Sequence, residues 1–290
     1  MKEVVSPGHK LGQLIGNFFE ELFDDDLASF CKKNGFYCDR KGPRRARENS
    51  KKVTWLDSNS NKHDLGYVIE KGGTPDKIGL PVAFIELAWR RYTKHSWNKT
   101  GELEGSLLHL RDTYKTSRFL GAILAGEYTE GGKKQLISHG INIIHVPFKI
   151  LSINFRKFGV NLDYPENASS DDKKSVIKQW ESLDKRKINV IKNNIKKAIA
   201  DNYIPFMKVL EKSLLKKIVS VIIIPLYGIK IDLPSILDAI ESLNKLVIEY
   251  HHQDISFVKF EVQLRFNDGD KIEGTFHNKD EALRFLRLFS

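Results

Sequence analysis

The run Pro81-Val82-Ala83-Phe84-Ile85-Glu86-Leu87-Ala88-Trp89 constrains the architecture more than any other stretch of the chain. It is apolar at both parities, the pattern of a strand covered on both faces rather than one. A sheet with such a strand at its centre needs a packed layer on each side. Two later runs read the same way: Phe119 to Gly126, which carries four small residues suited to close packing under helices, and Ile141 to Pro147. Helical segments separate them, one from Thr100 to about Tyr114 and one from Gly131 to His139, stopped by Gly140. Upstream, Leu11, Leu14, Ile15, Phe18, Phe19, Leu22 and Phe23 recur at spacings of three and four, which predicts a helix within residues 8–34. Strands are expected at 53–57, 63–70 and 81–90. The order of helix, three strands, helix, strand, helix, strand predicts an α/β (α+β) fold: a mixed central sheet flanked by helices.

The second half differs in character. Residues 170–217 are Lys-rich and helical, a strand is expected near 218–227, and Pro234-Ser235 opens a helix. Val258 to Phe266 alternates strictly, Asn267-Asp268-Gly269-Asp270 is a hairpin turn, and the chain returns through Lys271 to Phe276. A last helix runs from Lys279 to Leu288. This change places a boundary near residue 150, giving an N-terminal core (1–150) and a helical and β-hairpin region (151–290). No internal repeat is present.

Composition narrows the partners. A net charge of +10 and a pI near 9.3 favour a polyanion, nucleic acid ahead of an anionic membrane surface. No apolar run approaches the length of a bilayer span, and Met1 to Pro7 has no signal-type apolar core, so a cytoplasmic protein is expected. Cys31 and Cys38 lack structural-zinc spacing and read as reduced thiols.

The chemistry rests on two acids. His63-Asp64-Leu65-Gly66-Tyr67-Val68-Ile69-Glu70 reads as a strand bearing Asp64, and the strand of 81–90 bears Glu86. A buried carboxylate costs several kcal/mol (roughly) unless it is paired, hydrogen-bonded or bound to a cation. The cationic stretch Arg90-Arg91-Tyr92-Thr93-Lys94-His95-Ser96-Trp97-Asn98-Lys99 follows directly, placing a metal site beside a phosphate site. A hard divalent ion held by carboxylates supplies hydroxide for phosphodiester hydrolysis, and a nearby cation steadies the charged transition state.

The order of elements and these two acids, over roughly residues 8–147, resemble the PD-(D/E)xK nuclease superfamily, in particular type II restriction endonucleases. The resemblance implies a restriction-endonuclease-like sheet in which Asp64 and Glu86 bind Mg²⁺. It also implies a lysine two residues after the second acid, a position held here by Ala88. Arg90 shares a strand face with Glu86, while Lys94 and Lys99 lie beyond it, Lys99 at the start of a helix whose N-terminus favours phosphate. Lys94 or Lys99 is preferred to Arg90 for the missing cation. Many relatives carry an acid on the first helix that assists the metal, and Glu20 either occupies that place or, beside Glu21 and Asp24 to Asp26, belongs to a solvated acidic helix end. The implied function is a Mg²⁺-dependent, sequence-specific endonuclease of double-stranded DNA, acting as a homodimer on a palindrome. The C-terminal region would read the target or dimerise. The alternatives are a catalytically decayed DNA-binding module, a structure-specific repair nuclease and, further off, a basic protein-interaction domain.

Other charged residues have plainer readings. Glu70, which shares a parity with Asp64, is expected as a strand-end surface acid beside Lys71 ahead of a metal ligand, Asp57 as a hairpin residue, and Glu102 and Glu104 as first-turn acids complementing the helix dipole. Arg40 to Arg47 reads equally as a phosphate grip or a solvated loop. Lys185, Arg186, Lys187, Lys192, Lys196 and Lys197 suit a DNA-facing helix or simply a soluble one. His251-His252 reads as loop.

Overall fold

A computed structural model describes residues 6–93, 96–165, 167–225, 229–246 and 259–290. The chain divides into two compact units, residues 1–214 and 215–290.

The first unit begins with α1 (Pro7–Leu22), capped by Ser6 and opened by Pro7, and α2 (Asp24–Asn34), ended by Gly35 in the left-handed conformation. The single helix expected over 8–34 is therefore two. Phe23 leaves helical geometry at φ −110°, ψ 2°, and Asp24, Asp25 and Asp26 then supply the acidic first turn of a new helix. There follow β1 (Phe36–Arg40), β2 (Val53–Leu56), β3 (Lys62–Leu65), β4 (Tyr67–Lys71), β5 (Leu80–Arg90), α3 (Ser96–Thr113), β6 (Phe119–Gly126), α4 (Glu130–Ser138) and β7 (Asn142–Val146). Four helices complete the unit: α5 (Phe148–Arg156), α6 (Ser170–Glu181), α7 (Lys185–Ala198) and α8 (Ala200–Leu215).

The central sheet has the order β1-β4-β5-β6-β7. β1, β4 and β5 pair antiparallel, whereas β5, β6 and β7 pair parallel, so the sheet is mixed. β5 is central, as its two-faced apolarity requires. One face carries a core built from α1, α2 and α5 to α8, including Phe18, Phe19, Phe155, Trp180, Ile195 and Phe206. The other is covered by α3, α4 and the β2–β3 hairpin, with Leu103, Leu107, Leu110, Leu136, Val53 and Trp55.

This arrangement corrects two expectations. The boundary near residue 150 lies instead at 214/215, because the apolar stripes of α5 to α8 have their burial site on the α1 face of the sheet. The stretch from His63 to Glu70 is also not one strand. It breaks at Gly66, leaving β3 paired only with β2 and β4 in the central sheet. A Cβ at position 66 would lie 3.3 Å from the Leu87 Cβ, so glycine lets the chain cross close to β5.

A buried ion network closes the β1–β4 edge. Arg44 donates to both oxygens of Glu70 at 2.6 and 3.0 Å, pairs with Asp39 at 2.8 Å, and donates to the Thr74 and Lys77 carbonyls. Glu70 is thus fully buried rather than a surface acid. Arg44 and Arg47, which ion-pairs with Asp39, are likewise committed within the protein, while Arg45 pairs with Asp76 at the surface. On α7, Lys192 and Lys196 pair with Glu21 and Asp26, and Lys185, Arg186, Lys187 and Lys197 remain exposed.

The second unit comprises β8 (Ile218–Pro225), β9 (Ile231–Leu233), α9 (Ile236–Lys245), β10 (Phe260–Phe266), β11 (Lys271–Phe276) and α10 (Lys279–Arg287). Its antiparallel sheet has the order β11-β10-β8-β9. α9 and α10 share a core with one face of that sheet, built on Val221, Ile223, Val262, Leu264, Leu243 and Leu286. The expected hairpin is present, with Gly269 at φ 89° in its turn. His251 and His252 lie outside the described residues. No helix among the described residues is long and apolar enough to cross a membrane.

Candidate functional site

Strand parity puts Phe84, Glu86 and Ala88 on the α3 side of β5. β4 accompanies β5 only as far as the Tyr67–Ile85 pair, because the chain leaves the sheet at Gly66 to form β3. Glu86 therefore sits where β5 loses its antiparallel neighbour, beside Ala122 of β6. Its side chain is 8% exposed, and burial pushes its carboxyl from the usual 4.5 up to about 7. Lys99, hydrogen bonding from Ser106 and the His63 ring pull in the opposite direction without cancelling the desolvation. The Glu86 Oε2 is buried without a hydrogen-bond partner.

Lys99 comes from the first turn of α3. Its Nζ lies 3.6 Å from Glu86 Oε1 and 3.1 Å from Glu102 Oε2. Tyr128, just beyond β6, has a buried hydroxyl without a partner, within electrostatic reach of Arg90, Glu86 and Glu102. The Glu86 Oε2 and the Tyr128 hydroxyl each keep hydrogen-bonding capacity for a ligand or water.

The β2–β3 hairpin packs on this face of β5. Trp55 meets Phe84 edge-on at 5.7 Å, and its face of the hairpin, with Val53, His63 and Leu65, turns inward. In the turn, Asp57 is buried and accepts from the backbone N–H groups of Asn59 and Asn61 at 2.8 and 2.9 Å. It also accepts from the Asn61 amide at 3.0 Å, and His63 Nε2 lies 3.0 Å from its Oδ2. These bonds hold the Asp57 carboxyl well below its usual range. His63 Nδ1 lies 3.0 Å from Ser106 Oγ, and His109 Nδ1 lies 3.5 Å from Asp57 Oδ2. A polar chain thus runs from Asp57 through His63 and Ser106 to Glu86 and Lys99.

The expected site residues divide sharply. Glu86 and Lys99 are brought together, whereas the Arg90 guanidinium donates to the Trp89 carbonyl at 2.9 Å. Asp64 is not: it lies on the outward face of β3, where Lys52 Nζ and Thr54 Oγ1 donate to it at 2.6 Å each. Alternation decides this, because turning His63 inward turns Asp64 outward. Glu20 pairs with Lys41 at 2.6 Å on α1, the helix packed on the opposite face of the sheet from Glu86. Lys94 lies outside the described residues. Glu104 binds Gln135 and His139 and ties α3 to α4.

Asp57, Ser106 and His109 do not stand out in the sequence as site residues, and His63 does so only as the neighbour of Asp64. One signal was available. Lys99, Glu102, Ser106, His109 and Thr113 recur at spacings of three and four, a polar stripe along an otherwise leucine-rich helix.

No family model matches the chain, and no curated protein matches it. A crystal structure of a protein of unknown function, AF1548, aligns with 66% of this chain and 99% of its own at 12% identity, with a TM-score of 0.30. A likeness that weak bears on neither fold nor chemistry.

Proposed function

We propose that the protein is a restriction-type endonuclease that hydrolyses phosphodiester bonds of double-stranded DNA, with its reacting centre at Glu86 and Lys99. The observation that carries the reading is a buried carboxylate, poised near neutral pH, beside a lysine and holding one unpaired oxygen. A general base works best when its pKa lies near the operating pH, so Glu86 suits removal of a proton from an attacking water. Lys99 suits the charge that develops on the phosphate. Lys99 takes the part that Ala88 cannot, approaching Glu86 from α3 rather than from β5. Supporting context comes from the element order, the mixed sheet and the net charge of +10.

Asp64 and Glu86, the pair that the resemblance assigns to Mg²⁺, do not assemble into a site, since Asp64 faces outward into its bonds with Lys52 and Thr54. The reading therefore places no step on that ion. The test is digestion of unmethylated linear and supercoiled DNA by the wild type, Glu86→Gln and Lys99→Met, across a panel of divalent ions and with chelator. Discrete fragments lost in both variants support the reading. A smear indicates a structure-selective repair nuclease, and retention on DNA without cleavage indicates a binding module. Light scattering of the same samples tests the homodimer.

A further inference from the structure

We propose that Asp57, His63 and His109 bind a single borderline transition-metal ion of the Zn²⁺ or Co²⁺ type. The donors come from two elements, the β2–β3 hairpin and α3, and their ligating atoms all lie within 4.8 Å of one another. Oδ2 of Asp57 is 3.0 Å from His63 Nε2 and 3.5 Å from His109 Nδ1. Ligands about 2.0–2.1 Å from a tetrahedral zinc are separated by about 3.3 Å, so both distances reach that geometry with shifts of a few tenths of an ångström. The imidazole rings stand 6.3 Å apart at 85°, without stacking on each other.

The donor set selects the ion. Two imidazoles and one carboxylate suit zinc and its neighbours, whereas Mg²⁺ requires oxygen ligands. Three protein ligands leave a fourth position open, which is the pattern of a reactive zinc rather than a structural one. His109 has a 57% exposed side chain, so solvent reaches the cluster from its side.

The surrounding contacts hold these ligands in place. Asp57 is fixed by three donors from the turn, at Asn59 N, Asn61 N and Asn61 Nδ2. His63 Nδ1 is held by Ser106, the kind of second contact that orients a ligating histidine. With Nε2 on the metal, the neutral His63 carries its proton on Nδ1 and donates to Ser106 Oγ. The Ser106 hydroxyl is then free to donate to Glu86. A turn clasp needs only the Asp57–His63 bond; the second imidazole is surplus to it.

The metal site stands whether or not the chain cleaves DNA, and its test is separate. Full-length protein stripped with chelator is titrated with Co²⁺, following the visible d–d band, and its thermal unfolding is measured with and without Zn²⁺. The wild type is expected to saturate with one equivalent and to gain thermal stability with Zn²⁺. His109→Ala, at an exposed position that keeps the fold, is expected to lose affinity about a hundredfold and to lose the Zn²⁺-dependent gain. Ser106→Ala is expected to lose about tenfold. Glu86→Gln, which removes the reacting carboxylate, should bind as the wild type does. Folded wild type that binds neither ion below millimolar concentration, or affinity unchanged in His109→Ala, overturns the assignment.

Discussion

Replacing Glu86 with glutamine should stabilise the protein, and only above mild acidity. Glu86 is 8% exposed, and its carboxyl rises from 4.5 to about 7 on folding. An acid whose pKa rises on folding holds its proton more tightly in the folded chain. Between these values stability therefore falls as pH rises, because the folded state binds more protons than the unfolded one. The penalty is absent below 4.5 and complete above 7. A rise from 4.5 to about 7 corresponds to about 3 kcal/mol at full ionisation, an upper value for a site beside Lys99. The amide would keep its oxygen toward Lys99 and Ser106 and offer its NH₂ where Oε2 lacks a partner. Lys99 retains Glu102 at 3.1 Å, so no charge is stranded.

The assay is urea unfolding of wild type and Glu86→Gln in chelator at pH 8 and pH 5. At pH 8 the variant should be more stable by up to about 3 kcal/mol, worth roughly 6–12 °C in melting temperature for a unit of this size. Near pH 5 the two should differ little. Equal differences at both pH values, or a less stable variant at pH 8, would refute the reasoning. Activity should move in the opposite direction, the usual cost of a strained functional group.

Three further outcomes follow from the geometry. Arg44→Ala should destabilise the first unit by about 3–5 kcal/mol in urea unfolding, because Glu70 would stay buried without its cation and Asp39 would keep only Arg47. Asp64→Asn should cleave DNA within a few-fold of wild type and change stability by less than about 1 kcal/mol, since its pair with Lys52 is largely exposed; abolished cleavage would place Asp64 in the reaction. A fragment of residues 1–214 should unfold cooperatively with a native near-ultraviolet spectrum, whereas 1–150 should not, because it lacks the helices that cover Phe18 and Phe119.

The sheet was legible because β5 and β6 are apolar at both parities, β6 being buried at every position. The break at Gly66 was not legible, since Asp64 and Glu70 share a parity in the sequence that the crossing destroys. That one residue changes which side of His63-Asp64 faces Glu86, and with it the expected metal pair. The buried state of Glu70 was hidden for a related reason: its partner Arg44 lies 26 residues away, in a loop whose composition reads as solvated. Glu86 and Lys99 stand out in the sequence because an acid inside an apolar strand and a cation at a helix start are both local signals. Asp57 needed the turn geometry, which gives it four donors that sequence spacing does not announce.

The cations bear on where DNA would be gripped. Residues 1–214 hold 37 Lys and Arg against 26 Asp and Glu, while residues 215–290 hold 10 against 11. The positive charge thus belongs wholly to the first unit, although its Arg44, Arg47, Lys192 and Lys196 are spent on internal acids. Each phosphate neutralised contributes about 0.9 to the slope of log affinity against log salt. The fragment 1–214 should accordingly keep the slope of the full chain, measured by fluorescence anisotropy on duplex DNA. Replacing the exposed Lys185, Arg186 and Lys187 with alanine should lower it by up to about 3. A slope that collapses on removing residues 215–290 would assign the phosphate contacts to the second unit, against its near-neutral charge.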